Sequence, residues 1–176
     1  DYDHWASLGN EGWSYDEILK YFKKAEHNET FDDQYHGQAG PLNVSKIRHE
    51  NKPTKDFVEA GSKLYKYNED FNGGEQEGIG FYQTTQKDGK RCSTAKAYLV
   101  PALDRPNLTV ITEANVNKIL IDNNKASGVE YIDAEGESHT ISASKEVLLC
   151  SGAFGSPQIL LRSGVGPREE IEKHGI

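Results

Sequence analysis

Methionine is absent from the 176 residues, and cysteine occurs only twice. Opening on Asp1-Tyr2-Asp3 without an initiating Met, the chain reads as processed, cut or partial rather than as a natural translation start. Cys92 and Cys150 stand far apart and form no Cys-x-x-Cys spacing, which excludes a zinc or redox motif of that kind. They read as two reduced thiols in a cytoplasmic or membrane-peripheral protein. No apolar run reaches roughly 18 residues, so no transmembrane helix is expected. Positive charge is also short, with 20 Lys and Arg against 28 Asp and Glu, a net charge of -8 and no basic cluster. Nucleic-acid binding and a polybasic membrane anchor, which both need a basic face, are excluded as expectations. Hydrophobic residues make up 35%, and the mean hydropathy is -0.74. That is little for a self-contained globule, and it implies a surface-rich chain or one without its packing partner.

Local signals are nevertheless clear. Ser14 and Glu17 have the spacing of a capping box, and Ile18, Leu19, Phe22 and Ala25 share one face of a helix predicted over 14–26. Residues 27–40 read as a loop, and Pro41 to Ser45 as a short strand. Pro53 suits a helix start, with Phe57, Val58, Gly61, Leu64 and Tyr65 carrying a face over 54–66. Phe81 to Gln86 reads as a strand before an Asp88-Gly89 hairpin turn. Ser93 can cap a short helix through Leu99.

From residue 108 the pattern changes to β. Strands are expected at 108–112, 116–121, 128–132 and 139–141, with turns at Asn123-Asn124-Lys125 and Glu135-Gly136. The last three form an antiparallel meander. Glu146-Val147-Leu148-Leu149-Cys150 is a continuous apolar run of the kind buried on both faces of a parallel sheet. It leads into Ser151-Gly152-Ala153-Phe154-Gly155-Ser156-Pro157, with helices expected over 156–162 and from Pro167 towards Gly175. A strand, a Gly-rich corner and a helix make the local geometry of a nucleotide site, because Gly allows close backbone approach and helix N–H groups favour anionic atoms. Such corners are also common as plain packing.

The residues from Gly152 through Ser156-Pro157-Gln158-Ile159-Leu160-Leu161-Arg162-Ser163-Gly164-Val165 to Gly166 resemble the second signature of the glucose-methanol-choline (GMC) oxidoreductase family. Asp1 to Ala6 with Gly12 to Glu17, Gly37-Gly40-Pro41-Leu42, and Arg91 to Leu99 leading into Pro106-Asn107-Leu108-Thr109-Val110 are similar to other family segments. The wording of Gln83 to Gly89 is nearest to choline dehydrogenase and bacterial FAD-dependent alcohol dehydrogenase. The resemblance implies an α/β (α+β) chain, a partial FAD/NAD(P)-binding two-dinucleotide fold with an antiparallel β-meander. Residues 1–107 would be a substrate-side or interdomain region, and 108–176 part of the FAD-binding domain.

It further implies hydride transfer from an alcohol or choline CH–OH group to FAD, with a small-molecule alcohol substrate and an electron acceptor as partners. Val116 would meet the adenine through its backbone, and Gly152 and Ala153 would lie beneath the flavin nucleotide. The family's catalytic His would lie beyond Ile176, and its Gly-x-Gly-x-x-Gly corner before Asp1, so the isolated chain is expected to be inactive. No catalytic residue and no metal ligand is assigned. Arg91 and Tyr98 could face a substrate, or simply pair and pack. His4, His27, His36, His49, His139 and His174 read as solvated surface side chains, and Asp16-Glu17 and Glu169-Glu170 as first-turn carboxylates suited to helix dipoles. Two other readings stay open: a different FAD enzyme of this fold, such as an amine or carboxylate oxidase, and a non-catalytic truncated module.

Overall fold

Short helices and small sheets alternate along the chain in an order that follows its capping and turn residues. The computed structural model describes residues 1–176. They divide into two units, Asp1–Leu108 and Thr109–Ile176. No helix is long and apolar enough to cross a membrane.

The first unit begins with α1 (Tyr2–Ser7), which the sequence patterning did not predict. Its aromatic residues pack at its own end of the unit: Tyr2 lies edge-on to Trp5 at 5.2 Å, and Trp5 lies 5.7 Å from Trp13. α2 (Tyr15–Ala25) starts at the expected capping box, where the Ser14 backbone N–H donates to Glu17 Oε2 at 3.1 Å. The carboxyl of Glu17 is held below the ordinary carboxylate value mainly by its hydrogen bonds to Ser14. Residues 27–40 are not wholly loop. β1 (Glu26–Asn28) runs parallel to β2 (Leu42–Val44), pairing Glu26 with Leu42 and Asn28 with Val44. The polar composition of β1 hid it: its ladder is the whole of its strand character.

α3 (Lys52–Gly61) is capped by Asn51, whose side chain accepts from the Thr54 N–H at 3.0 Å. The helix stops five residues before the predicted end. Residues 62–65 bond back to Val58, Ala60 and Gly61 as irregular turns, and beyond them Asn68 N–H bonds Ile79 C=O and Ile79 N–H bonds Lys66 C=O, so the chain passes into a bridge. The strand expected over 81–86 reduces to a bridge between Ser45 and Thr84, followed by the hairpin β3 (Gln86–Lys87) and β4 (Lys90–Arg91). Asp88 and Gly89 adopt positive φ in its turn, as their residue types allow. Ser93 Oγ accepts from the Lys96 N–H at the start of a widened π-type turn, Ala95–Leu99, which tightens into a 3-10 turn over Val100–Ala102.

In the second unit, the predicted strand over 108–112 is absent, because no neighbouring strand offers it a ladder. Glu113, at φ 55, breaks it from β5 (Asn115–Asp122). The meander is present as β5, β6 (Lys125–Ile132) and β7 (Ser138–Ser142), antiparallel in that order. Asn123 and Asn124 both take positive φ in its first hairpin, the conformation of a two-residue primed turn. At the second, Asp133 Oδ1 accepts from the Glu135 and Glu137 N–H groups. Tyr131 stacks on His139 across the β6–β7 pair at 5.2 Å. The second predicted strand that fails to form is 146–150: it stays extended without a ladder, and Leu148 is 78% exposed. An apolar run becomes a parallel strand only where flanking strands complete its hydrogen bonds. α4 (Gly152–Arg162) begins four residues before the predicted helix, and α5 (Arg168–Glu172) follows Pro167. Ile119, Ile159 and Ile171 are the buried hydrophobic residues here, contributed by β5, α4 and α5.

Gly37 and Gly40 are among the first-unit glycines that close packing against backbone requires. A Cβ on Gly37 would overlap the Lys23 carbonyl oxygen, and one on Gly40 the Ala25 carbonyl. Gly37→Ala should cost about 3 kcal/mol, since backbone atoms cannot step aside. Gly9→Ala, in open space at φ 95, should cost only about 1–2 kcal/mol. Urea denaturation of the two variants checks this, and equal losses would contradict it.

Candidate functional site

The corner that the signature occupies is built by small residues. Gly152 opens α4 at φ 83, a left-handed conformation that a side chain would strain, and no atom lies within 4 Å of where its Cβ would stand. A Cβ on Gly155 would come to 2.9 Å from the Ser151 Cβ, so a glycine there lets the chain fold tightly into the helix. Ser156 Oγ accepts from the Ser151 N–H at 3.1 Å and closes the turn. Ala153 is exposed, and Phe154 is 93% exposed. The first N–H groups of α4 lack intrahelical acceptors and are therefore suited to an anionic or strongly polar group.

Val116 lies half-buried in β5, paired with Tyr131, at the edge of a register shift between Val116 and Lys118. α4 packs on β5, so Val116, Gly152 and Ala153 stand on two elements in contact. Ser163 joins those elements. Its Oγ accepts from the Ile119 N–H at 2.8 Å and donates to the Ile159 carbonyl at 2.6 Å. The helix then ends on Gly164, at φ 79, with Val165 N–H bonding Leu160 C=O and Gly164 N–H bonding Leu161 C=O. That double bond pattern is the Schellman motif, which needs a residue free to adopt positive φ. A Cβ on Gly166 would press on Leu161 Cδ2, so Ser163, Gly164 and Gly166 all shape the helix end.

The first unit places its sequence candidates apart. Tyr98 lines an open groove of about 570 Å³ together with Leu99, Ala102 and Leu108, and exposed Arg91 is not part of it. The reading of every histidine as solvated fails at His36, which is 3% exposed. Its Nε2 lies 2.9 Å from Asp70 Oδ2 and its Nδ1 3.2 Å from Glu26 Oε2. Asn28, 1% exposed, donates to Glu26 Oε1 and Gln83 Oε1 and accepts from the Thr30 and Phe31 N–H groups. No local spacing announced this cluster, because its members come from four separate stretches: 26–31, His36, Asp70 and Gln83. Asp33, His36 and Asp70 have the residue types of a metal site. Both ring nitrogens, however, already face carboxylates.

A GMC oxidoreductase family model matches residues 1–174. The chain belongs to the GMC oxidoreductase family. It is 46% identical to the alcohol dehydrogenase (acceptor) of Pseudomonas putida, over 100% of this chain and 32% of that protein. The mitochondrial choline dehydrogenase of Homo sapiens is 43% identical, over 100% of this chain and 30% of its own. The chain thus spans about a third of the length of the curated relatives it matches. Pyridoxine 4-oxidase from Mesorbium loti superposes with a TM-score of 0.89 and 31% identity, over 99% of this chain and 35% of that one. An FAD-dependent oxidoreductase from Chaetomium thermophilum gives a TM-score of 0.89 at 29% identity, covering 99% and 33%. The fold is therefore a partial FAD-binding GMC fold of mixed helix and sheet, and the resemblance to choline and alcohol dehydrogenases holds across the whole chain.

Ser163→Ala should destabilise the second unit by about 1–2 kcal/mol, because the Ile119 N–H loses its acceptor beside a buried side chain. Ser163→Thr, which keeps the hydroxyl, should recover most of that loss. Hydrogen exchange at the Ile119 amide reads the effect directly; unchanged protection in the Ala variant would contradict it.

Proposed function

We propose that this chain supplies part of an FAD-dependent oxidoreductase that oxidises CH–OH groups of small alcohols, choline among them. The observation that carries the reading is the family match over residues 1–174, with the signature Gly152–Gly166 falling on the glycine corner of α4. Residues 108–176 form part of the FAD-binding domain, and 1–107 a substrate-side or interdomain region. The acidic charge and the relatives' names favour a small-molecule substrate, with a separate electron acceptor, over nucleic acid.

The residues present fit a flavin nucleotide at the α4 corner. Gly152 leaves open space in a conformation reserved for glycine, and the helix start presents N–H groups. When bound, FAD would supply the hydride acceptor. Gly152 and Ala153 would let a nucleotide approach the backbone, and Val116 would offer main-chain N–H and C=O. Ser163 would fix β5 against α4 and so keep those backbone contacts in register. None of the six histidines is assigned the role of base. His36 in particular is buried among carboxylates that occupy both its nitrogens.

A chimera tests this. Residues 1–176 should replace the matching third of the Pseudomonas putida enzyme and yield a yellow protein whose flavin is bleached by an alcohol. Gly152→Val in that chimera should weaken flavin retention at least tenfold, about 1.4 kcal/mol. The isolated chain mixed with FAD and alcohol should reduce no dye. A folded but colourless chimera, or one whose flavin no alcohol reduces, would overturn the proposal.

A further inference from the structure

The buried His36 cluster lies outside the proposed flavin corner and has no part in that reading. Its geometry asks for a charge state. His36 sits with Nε2 2.9 Å from Asp70 Oδ2, while its Nδ1 faces both oxygens of Glu26, at 3.2 and 3.3 Å, and the Asn28 Nδ2 at 3.1 Å, whose two hydrogens have Glu26 Oε1 and Gln83 Oε1 as acceptors. A carboxylate can only accept, so each contact is a hydrogen bond only if the ring nitrogen carries a proton. We propose that His36 is a doubly protonated pin that joins β1, the 33–37 turn and the 68–72 loop, and that loss of one ring proton unlocks them: a pH-sensitive clamp in the Asp1–Leu108 unit.

The surroundings support one cation at this point. Glu26 from β1 and Asp70 from the 68–72 loop face the ring, and Asp33 stands close by with its Oδ1 accepting from the Tyr35 and His36 backbone N–H groups. Lys23 of α2 uses its ammonium on the carbonyls of Asp33 and Gln34. The Phe31 ring, 5.3 Å away, brings no charge. When one ring proton passes to solvent, a lone pair is left pointing at a carboxylate with almost no water to separate them. The contact made by that nitrogen, to Asp70 or to Glu26, is then no longer a hydrogen bond and its hold is lost. The Asp70 contact links residues 34 apart, so its loss unpins the 68–72 loop from the 33–37 turn. Glu26 would remain bonded to the Gly37 N–H and to Asn28, which localises the release to the ring's own contacts.

Burial alone would lower the proton affinity of His36, but the hydrogen bonds to Asp70 and Glu26, with their charges, outweigh it and hold the group above the ordinary histidine value. The sign follows. The stabilisation is complete below the unfolded-state value of about 6.5, declines as pH rises beyond it and is gone above the folded-state value, because in that window the native chain holds the extra proton.

Long-range proton–nitrogen NMR on the chain labelled with ¹⁵N-histidine tests the clamp. One histidine should keep two protonated nitrogens to higher pH than an ordinary histidine, titrating above the usual value of about 6.5. Asp70→Asn should shift that resonance's titration downward, and Glu26→Gln should do so independently. The thermal midpoint of the first unit should fall as pH rises through the same window in the parent chain, and not in His36→Gln. A titration at or below the ordinary histidine value, or one that neither carboxyl substitution moves, would overturn the proposal. If His36→Gln does not fold, the parent titration and the two carboxyl variants decide alone.

Discussion

Asn28 is the constraint around which the first unit is arranged. The buried apolar residues of that unit are few, namely Ile18, Val58, Cys92 and Ala97, while Asn28, His36, Asn43 and Ser45 are buried and polar. Polar groups taken from water cost stability unless each finds a partner. Here no buried side-chain N or O atom goes without one. Asn28 supplies most of the cross-links: its backbone N–H bonds the Gly37 carbonyl, and its side chain reaches Glu26, Gln83 and the Thr30-Phe31 turn. The small size of Gly37 and Gly40 follows from this, because the chain must return against the end of α2 closely enough for those bonds to form. A unit organised in this way depends on geometry more than on buried area, which explains how so polar a sequence can hold a defined shape.

The second unit solves the same shortage differently. It concentrates its few apolar residues at one seam, Ile119 from β5, Ile159 from α4 and Ile171 from α5, and uses Ser163 to satisfy a strand N–H that has no ladder partner there. One hydroxyl thereby serves both the end of a helix and the edge of a sheet. The extended runs at 109–112 and 147–149 lie outside this seam. Val110, Ile111 and Leu148 remain exposed, so their hydrophobicity contributes little to the stability of the unit described.

What the sequence made legible divides along the same line. Elements set by adjacent residues were readable: the capping box at Ser14, the turn at Asn123-Asn124, the meander and the glycine corner. The fold family was also readable, from the register of fifteen consecutive residues at Gly152–Gly166. Elements that depend on a distant partner were not. β1 is polar and is a strand only because β2 lies beside it; 108–112 and 146–150 look like strands but have no ladder. α3 gives way after Gly61 to irregular turns over 62–65, and the backbone beyond, at Lys66 and Asn68, pairs with Ile79 far along the chain. His36 looked like a surface histidine because Glu26 and Asp70 are remote from it in sequence.

The signature segment carries two kinds of information that the structure separates. Gly155, Ser163, Gly164 and Gly166 are explained by packing and helix termination within this chain alone, so their presence identifies the fold without requiring a ligand. Gly152 differs. Its φ of 83 restricts the position to glycine, yet the space around its missing side chain is open, so no internal packing explains why the chain turns through this conformation at the head of α4. Glycine adopts that conformation readily, as Gly9, Gly12, Gly136 and Gly175 also do in open space, so what sets Gly152 apart is its place beside the first N–H groups of α4. Within the glycine corner, Gly152 is therefore the residue whose surroundings are left open to a ligand, and Ser163 ties the other end of α4 to β5.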